Sequence, residues 1–214
     1  MLGEDGTVDR DAFFSGPIVR GLLRGQKRDG GFGVHAYQKW GGAHWRLVSL
    51  VELGVPADDE RARAAARTVL DWLTSNSHRS RIQVIDGLTR RCGSQEGNAL
   101  AVCCRLGMAG DPRVELLARS LAEWQWPDGG WNCDKNATGR RSSFNESLPP
   151  MWSLHEYWLA TREPWAKESA ERTAELFLEH NLFRALETRE PIHPGWLVAH
   201  YPPYWHYELS LIHI

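Results

Sequence analysis

Apolar residues recur at helical spacing along most of this chain. Ala99, Val102, Cys103 and Leu106 fall at i, i+3, i+4 and i+7, one stripe of a helix that Gly107 is placed to stop. The next helix is expected from Asp111 to Trp124. There Asp caps, Pro112 takes the first helical position, and Val114, Leu117, Ala118 and Leu121 form the apolar face. An earlier segment, Asp59 to Leu73, sets Ala62, Ala65, Ala66, Val69, Leu70 and Leu73 opposite Arg61, Arg63 and Arg67. A later one opens on the capping-box pattern Ser143-x-x-Glu146, runs through Trp152, His155, Glu156 and Leu159, and is followed by a helix from Glu163 to His180. A further helix is expected near Pro17 to Arg24, and Arg81 to Asp86 is the one stretch that reads as an extended piece or hairpin. The pattern predicts an all-α protein.

The helices repeat as pairs. Leu53-Gly54, Leu106-Gly107 and Leu159-Ala160 each close a run of small and apolar residues, at offsets of 106 − 53 = 53 and 159 − 106 = 53. Trp72 and Trp124 correspond in the second helices, at 124 − 72 = 52. A period this long exceeds the 34 residues of a tetratricopeptide array. Three helix-pair units plus an N-terminal helix are expected.

Two short segments are copies of each other: Gln26-Lys-Arg-Asp29-Gly30-Gly31-Phe32 and Gln125-Trp-Pro-Asp128-Gly129-Gly130-Trp131. Paired glycines permit a sharp turn with positive φ, and the Asp can accept bonds from the turn's own amides. The aromatic then folds back on a helix end. The second copy also fits Gln-x-x-x-Gly-x-Trp and so resembles the repeat of squalene and oxidosqualene cyclases. Both copies are similar to the turns of protein prenyltransferase β subunits. That resemblance covers residues 15 to 208, with its specific motifs confined to the two joints. It implies a partial α/α toroid whose first helix in each pair lines a lumen and whose second forms the outer wall.

Composition narrows the partners. A net charge of −2 gives no nucleic-acid footprint, and no run approaches the length of a transmembrane helix, nor does the start read as a signal peptide. A cytoplasmic protein with reduced thiols is expected, Cys103 and Cys104 being helix neighbours unable to bridge each other. The eleven tryptophans exceed what joints require.

On the resemblance, the starts of the inner helices carry the chemistry. They are Lys39-Trp40-Gly-Gly-Ala-His44-Trp45, Cys92-Gly-Ser94-Gln95-Glu96-Gly-Asn98 and Ser143-Phe-Asn145-Glu146-Ser147. Glu96 beside Asn98 and Glu146 beside Asn145 suit a general acid with an amide neighbour, while the plainer reading is helix capping and service to the helix dipole. Trp40, His44, Trp45, Asn98, Asn145 and Trp152 are the expected ligand-binding set. The segment His193 to Tyr207 adds three imidazoles and five aromatics around Pro202-Pro203, which forbid a regular helix. Tyr204 and Trp205 are expected to bind ligand and His206 to act catalytically, with a lid packed for stability as the other reading. Class II cyclases use an Asp-x-Asp-Asp run that this chain lacks. Prenyltransferases hold zinc through Asp, Cys and His; Cys92, Cys133, Asp134, His155 and His193 offer the types without the close spacing of a zinc motif, so no metal and no cofactor are expected.

The last six residues, Leu209 to Ile214, read as a translated library adapter, with a natural apolar C-terminal strand as the other reading; the adapter reading implies a natural sequence continuing past Glu208 and a domain spanning 1–208. The function that follows is an isoprenoid-handling toroid of the cyclase or prenyltransferase kind, its partner an apolar small molecule. The alternative is a non-catalytic ligand or peptide binder on the same scaffold.

Overall fold

The computed structural model describes residues 10–198 and Tyr207. Among them are nine α-helices and one two-stranded hairpin. In order these are α1 (Arg10–Ser15), α2 (Pro17–Leu23), α3 (Ala43–Glu52), α4 (Glu60–Thr74), α5 (Asn76–Arg79), β1 (Gln83–Ile85), β2 (Leu88–Arg90), α6 (Gly93–Arg105), α7 (Pro112–Trp124), α8 (Phe144–Thr161) and α9 (Pro164–Glu179), then a 3-10 turn at Pro194–Leu197. The all-α expectation holds at that level, and the extended piece is the antiparallel β1–β2 hairpin, with Gln83 opposite Arg90. Among the described residues no helix is long and apolar enough to cross a membrane.

The chain divides into two compact units. One comprises the described residues up to Arg81 with Asn98–Leu117, the other Ile82–Gly97 with the described residues from Ala118 onward. Helices α6 and α7 therefore contribute residues to both.

In the first unit α3 packs on α4. Asp59 caps α4 by accepting from the Ala62 amide at 2.9 Å, and the alanine-rich face is buried together with Val69, Leu70 and Leu73. Arg63, on the opposite face, donates to the carbonyls of Ala57 and Leu106, both at 3.0 Å. Leu106 is fully buried, whereas its repeat partners Leu53 and Leu159 are 39% and 42% exposed. Leu53 and Leu106 each directly follow the last residue of α3 and α6, whereas Leu159 lies inside α8, two residues before its end at Thr161, so the 53-residue offset does not carry over to the helix ends and the three leucines have different surroundings. In α6 the stripe is wider than its periodicity shows: Leu100 and Ala101 are as buried as Ala99, Val102 and Cys103.

In the second unit α8 packs on α9. The buried face of α8 is Phe144, Ser147, Pro150, Ser153, Leu154 and Tyr157, while His155 and Leu159 are exposed. The Ser143 capping box does not form. Ser143 makes no side-chain cap bond, and the Glu146 carboxylate that should have reached back is engaged elsewhere.

The two joints fold alike. In the first, Lys27 donates its amide to the Gly31 carbonyl at 2.8 Å, Gly30 to the Lys27 carbonyl at 3.0 Å, and Gly31 to Asp29 Oδ1 at 2.9 Å. In the second the equivalent bonds are Trp126 to Gly130 at 2.8 Å, Gly129 to Trp126 at 2.9 Å and Gly130 to Asp128 Oδ1 at 3.4 Å. Gly30 and Gly129 have φ of 90° and 94°, and each lies so close to a carbonyl of the second helix of its pair, Ala64 and Arg172, that a Cβ would collide with it. The glutamine is the clasp. Gln26 Nε2 reaches the Gly30 and Arg61 carbonyls at 3.0 and 2.8 Å; Gln125 Nε2 reaches Gly129, Ser169 and the Thr173 hydroxyl at 2.8, 2.9 and 2.9 Å. Trp131 is fully buried with its indole donating to the Leu121 carbonyl at 3.0 Å, and Phe32 lies beneath the Arg46 guanidinium at 4.3 Å.

Candidate functional site

Two groupings hold most of the residues that the sequence singles out. The first is aromatic and lies in the first unit, at the start of α3. Gly42 precedes that helix where a side chain would strike the Ala36 and His35 carbonyls, so the loop before α3 folds tightly onto it. Trp40, His44 and Trp45 thereby come together with Tyr37 and Trp72. Ring centroids are 5.1 Å apart for Tyr37–His44, 5.2 Å for Tyr37–Trp72, 5.6 Å for Trp40–Trp45 and 5.3 Å for His44–Trp45. Trp40 is the open rim, 47% exposed with φ of 65° and with the Lys39 ammonium 5.5 Å from its ring. His44 is 2% exposed and, among the described residues, neither ring nitrogen has a hydrogen-bond partner; the Trp45 indole N–H also lacks one there. Loss of water at His44 pushes its pKa from 6.5 down to about 3, so the imidazole is neutral near pH 7. The neutral ring packs as an apolar group inside the aromatic cluster and keeps two unspent polar atoms there.

The second grouping lies in the second unit, where the start of α6 meets the start of α8. Gly93 and Gly97, one turn apart, make the meeting possible. A Cβ on Gly97 would lie 2.6 Å from the Pro150 nitrogen, and one on Gly93 would lie 3.1 Å from the Trp131 ring and 3.0 Å from the Glu146 carbonyl. At this closeness Ser94 donates both its amide (3.0 Å) and its hydroxyl (2.7 Å) to Glu146 Oε2. The other oxygen, Oε1, accepts from the Cys133 thiol at 3.8 Å. Cys92, Cys133 and Glu146 present one sulfur or oxygen atom each, all within 4.8 Å of one another. A hydrogen bond from Cys92 holds the Cys133 thiol below its usual range; the same bond, with burial, pushes Cys92 up.

The remaining expected site residues have other employment. Glu96 is buried and paired with Arg91, Nε at 2.8 Å and Nη2 at 2.7 Å, and Arg91 also donates to Gln95 at 2.7 Å. That arrangement anchors Arg91. Asn98 is 9% exposed on α6 and falls with the first unit. Asn145 accepts the Tyr207 amide at 2.9 Å, and Trp152 donates to Glu156 at 3.1 Å. Tyr207 itself is buried against Phe144, Phe177 and Trp196. Tyr204, Trp205 and His206 lie outside the described residues.

Sequence spacing missed two things. Cys92 and Cys133 are 133 − 92 = 41 residues apart, and nothing local announces that they meet; the Gly93-x-x-x-Gly97 pair was the available signal of a close helix approach. Tyr37 gave no signal at all, and Trp72 served only as a repeat marker. Comparison with protein families, curated proteins and solved structures found no match to this chain.

Proposed function

We propose that this chain binds an apolar isoprenoid on an α/α-toroid scaffold, as its resemblance to cyclase and prenyltransferase repeats implies. The observation that carries the reading is the aromatic grouping: three residues expected to contact ligand, Trp40, His44 and Trp45, come together with Tyr37 and Trp72. Trp40 is the exposed face of the grouping, with His44 and Trp45 closed behind it at 2% and 7% exposure; an aromatic wall of this kind suits an uncharged polyene, which offers dispersion contact and asks for no counter-charge. A diphosphate is disfavoured because the sequence around these residues carries no Arg or Lys cluster with phosphate-clamp spacing. Arg91 is held by Glu96 and Gln95, and Arg141 is an exposed residue pairing with Glu187 at 3.4 Å.

Binding without catalysis is the second reading, and the two carboxylates favour it. Glu96 faces a guanidinium and Glu146 accepts from Ser94, so each has a structural partner. Tryptophan fluorescence titrated with squalene and with farnesyl diphosphate tests the proposal. Squalene should shift the emission, more weakly in Trp40→Ala. Tighter binding of the diphosphate, abolished by Arg91→Ala, would overturn the ligand class, and silence with both ligands would overturn the proposal.

A further inference from the structure

A carboxylate facing two thiols, with the neighbouring cation spent elsewhere, is an odd way to leave three strong donors. Cys103 shows what a packing cysteine looks like here: it is 1% exposed on an apolar helix face. Cys92 and Cys133 are only half-buried, and both point at Glu146. Arg91, next to Cys92 in sequence, is occupied by Glu96 and Gln95.

The donors are held by backbone. Arg90 and Asn132 form a parallel bridge and the Arg91 amide donates to the Asn132 carbonyl at 3.1 Å, which fixes the segments just before Cys92 and Cys133 beside each other. The Ser143 amide donates to the Trp131 carbonyl at 2.8 Å, and the Trp131 amide to the Ser147 hydroxyl at 3.0 Å, tying the same loop to the start of α8. The third donor, Glu146, is oriented by the two Ser94 bonds to Oε2, which leave Oε1 toward the sulfurs. Outer contacts of this kind aim metal ligands and set their basicity.

Size agrees. Tetrahedral bonds of about 2.3 Å place two thiolate sulfurs about 3.8 Å apart around zinc. The donor atoms lie within 4.8 Å of one another and Cys133 Sγ is 3.8 Å from Glu146 Oε1, so closing on an ion needs movements of an ångström or less.

We propose that Cys92, Cys133 and Glu146 form a zinc site of two thiolates and one carboxylate, with the fourth position left to water or an exchangeable ligand. On binding, each thiol releases its proton to solvent and its sulfur donates a lone pair to the ion; no electron is transferred. Three protein donors and an exchangeable position are the arrangement of zinc sites that activate a bound ligand. The site stands apart from the isoprenoid reading and does not depend on it.

Cobalt(II) is the probe, added to the reduced full chain and then displaced by zinc. One cobalt per chain should bind with thiolate-to-metal charge-transfer absorption and the visible bands of a tetrahedral ion. Cys92→Ser and Cys133→Ser should each abolish the charge-transfer band or shift it strongly, whereas Cys103→Ser should leave it unchanged. Ser94→Ala should weaken affinity about tenfold through loss of the Glu146 anchor. Should a serine variant unfold, iodoacetamide labelling of the wild-type chain decides the matter: zinc should protect Cys92 and Cys133 but not Cys104. Absence of the band in the wild-type chain, its persistence in Cys92→Ser, equal labelling with and without zinc, or a Cys92–Cys133 disulfide under reducing conditions would overturn the site.

Discussion

Burial keeps the His44 imidazole neutral, and that has a sign for stability against pH. The folded pKa lies near 3 and the unfolded one at 6.5, so below 6.5 the unfolded chain takes up a proton that the folded chain refuses. Stability contributed by neutral His44 is whole above pH 6.5 and falls as the pH drops toward 3, by up to about 1.4 kcal/mol per unit crossed. Replacing His44 with Leu should flatten that slope in urea melts run across the window; an unchanged slope would mean that water reaches the ring. Trp131 carries a larger single stake. It is fully buried and its indole holds a helix carbonyl, so Trp131→Ala should lower unfolding free energy by about 3 to 5 kcal/mol in chemical denaturation.

Between elements, small groups at close approaches decide how helices meet. Gly97 lets α6 touch the Pro149-Pro150 backbone of α8, and a methyl there would overlap both residues. Gly97→Ala should cost about 1 to 3 kcal/mol and loosen the Ser94–Glu146 bonds, read as faster amide exchange at Ser94. The joints differ in strength though not in design. Gln125 Nε2 meets three acceptors and its carbonyl accepts from Ser169, whereas Gln26 Nε2 meets two, one of them at the exposed Arg61. Gln125→Ala should therefore lower stability by about 2 to 4 kcal/mol and Gln26→Ala by about 1, a ranking that paired thermal melts would check.

For the molecule as a whole, α6 and α7 give residues to both compact units, so neither unit keeps all its helices if the other unfolds. Calorimetry should find one transition with equal calorimetric and van't Hoff enthalpies; two separated transitions would show the units to be independent. What could be foreseen from sequence was whatever short-range physics determines. Helix ends followed from Asp59 and Pro112, the joints from paired glycines with an Asp two residues from the amide it binds, and the first strand of the hairpin from the extended reading of Arg81 to Asp86, which stops short of β2. The face each helix buries was foreseen for α4 and α7, where one polar side faces solvent. It was not foreseen for α6, buried more broadly than one stripe, or for α8, where His155 and Leu159 turned outward. The fate of charged side chains belongs wholly to tertiary structure. Glu96 and Glu146 look alike at the starts of their helices, yet one meets Arg91 and the other meets Ser94 and Cys133. Periodicity and turn chemistry act over a few residues and are written locally. The encounter of Cys92, Cys133 and Glu146 depends on how closely two helix starts approach, which is set by the packing of glycines against a proline pair and a tryptophan far away in sequence.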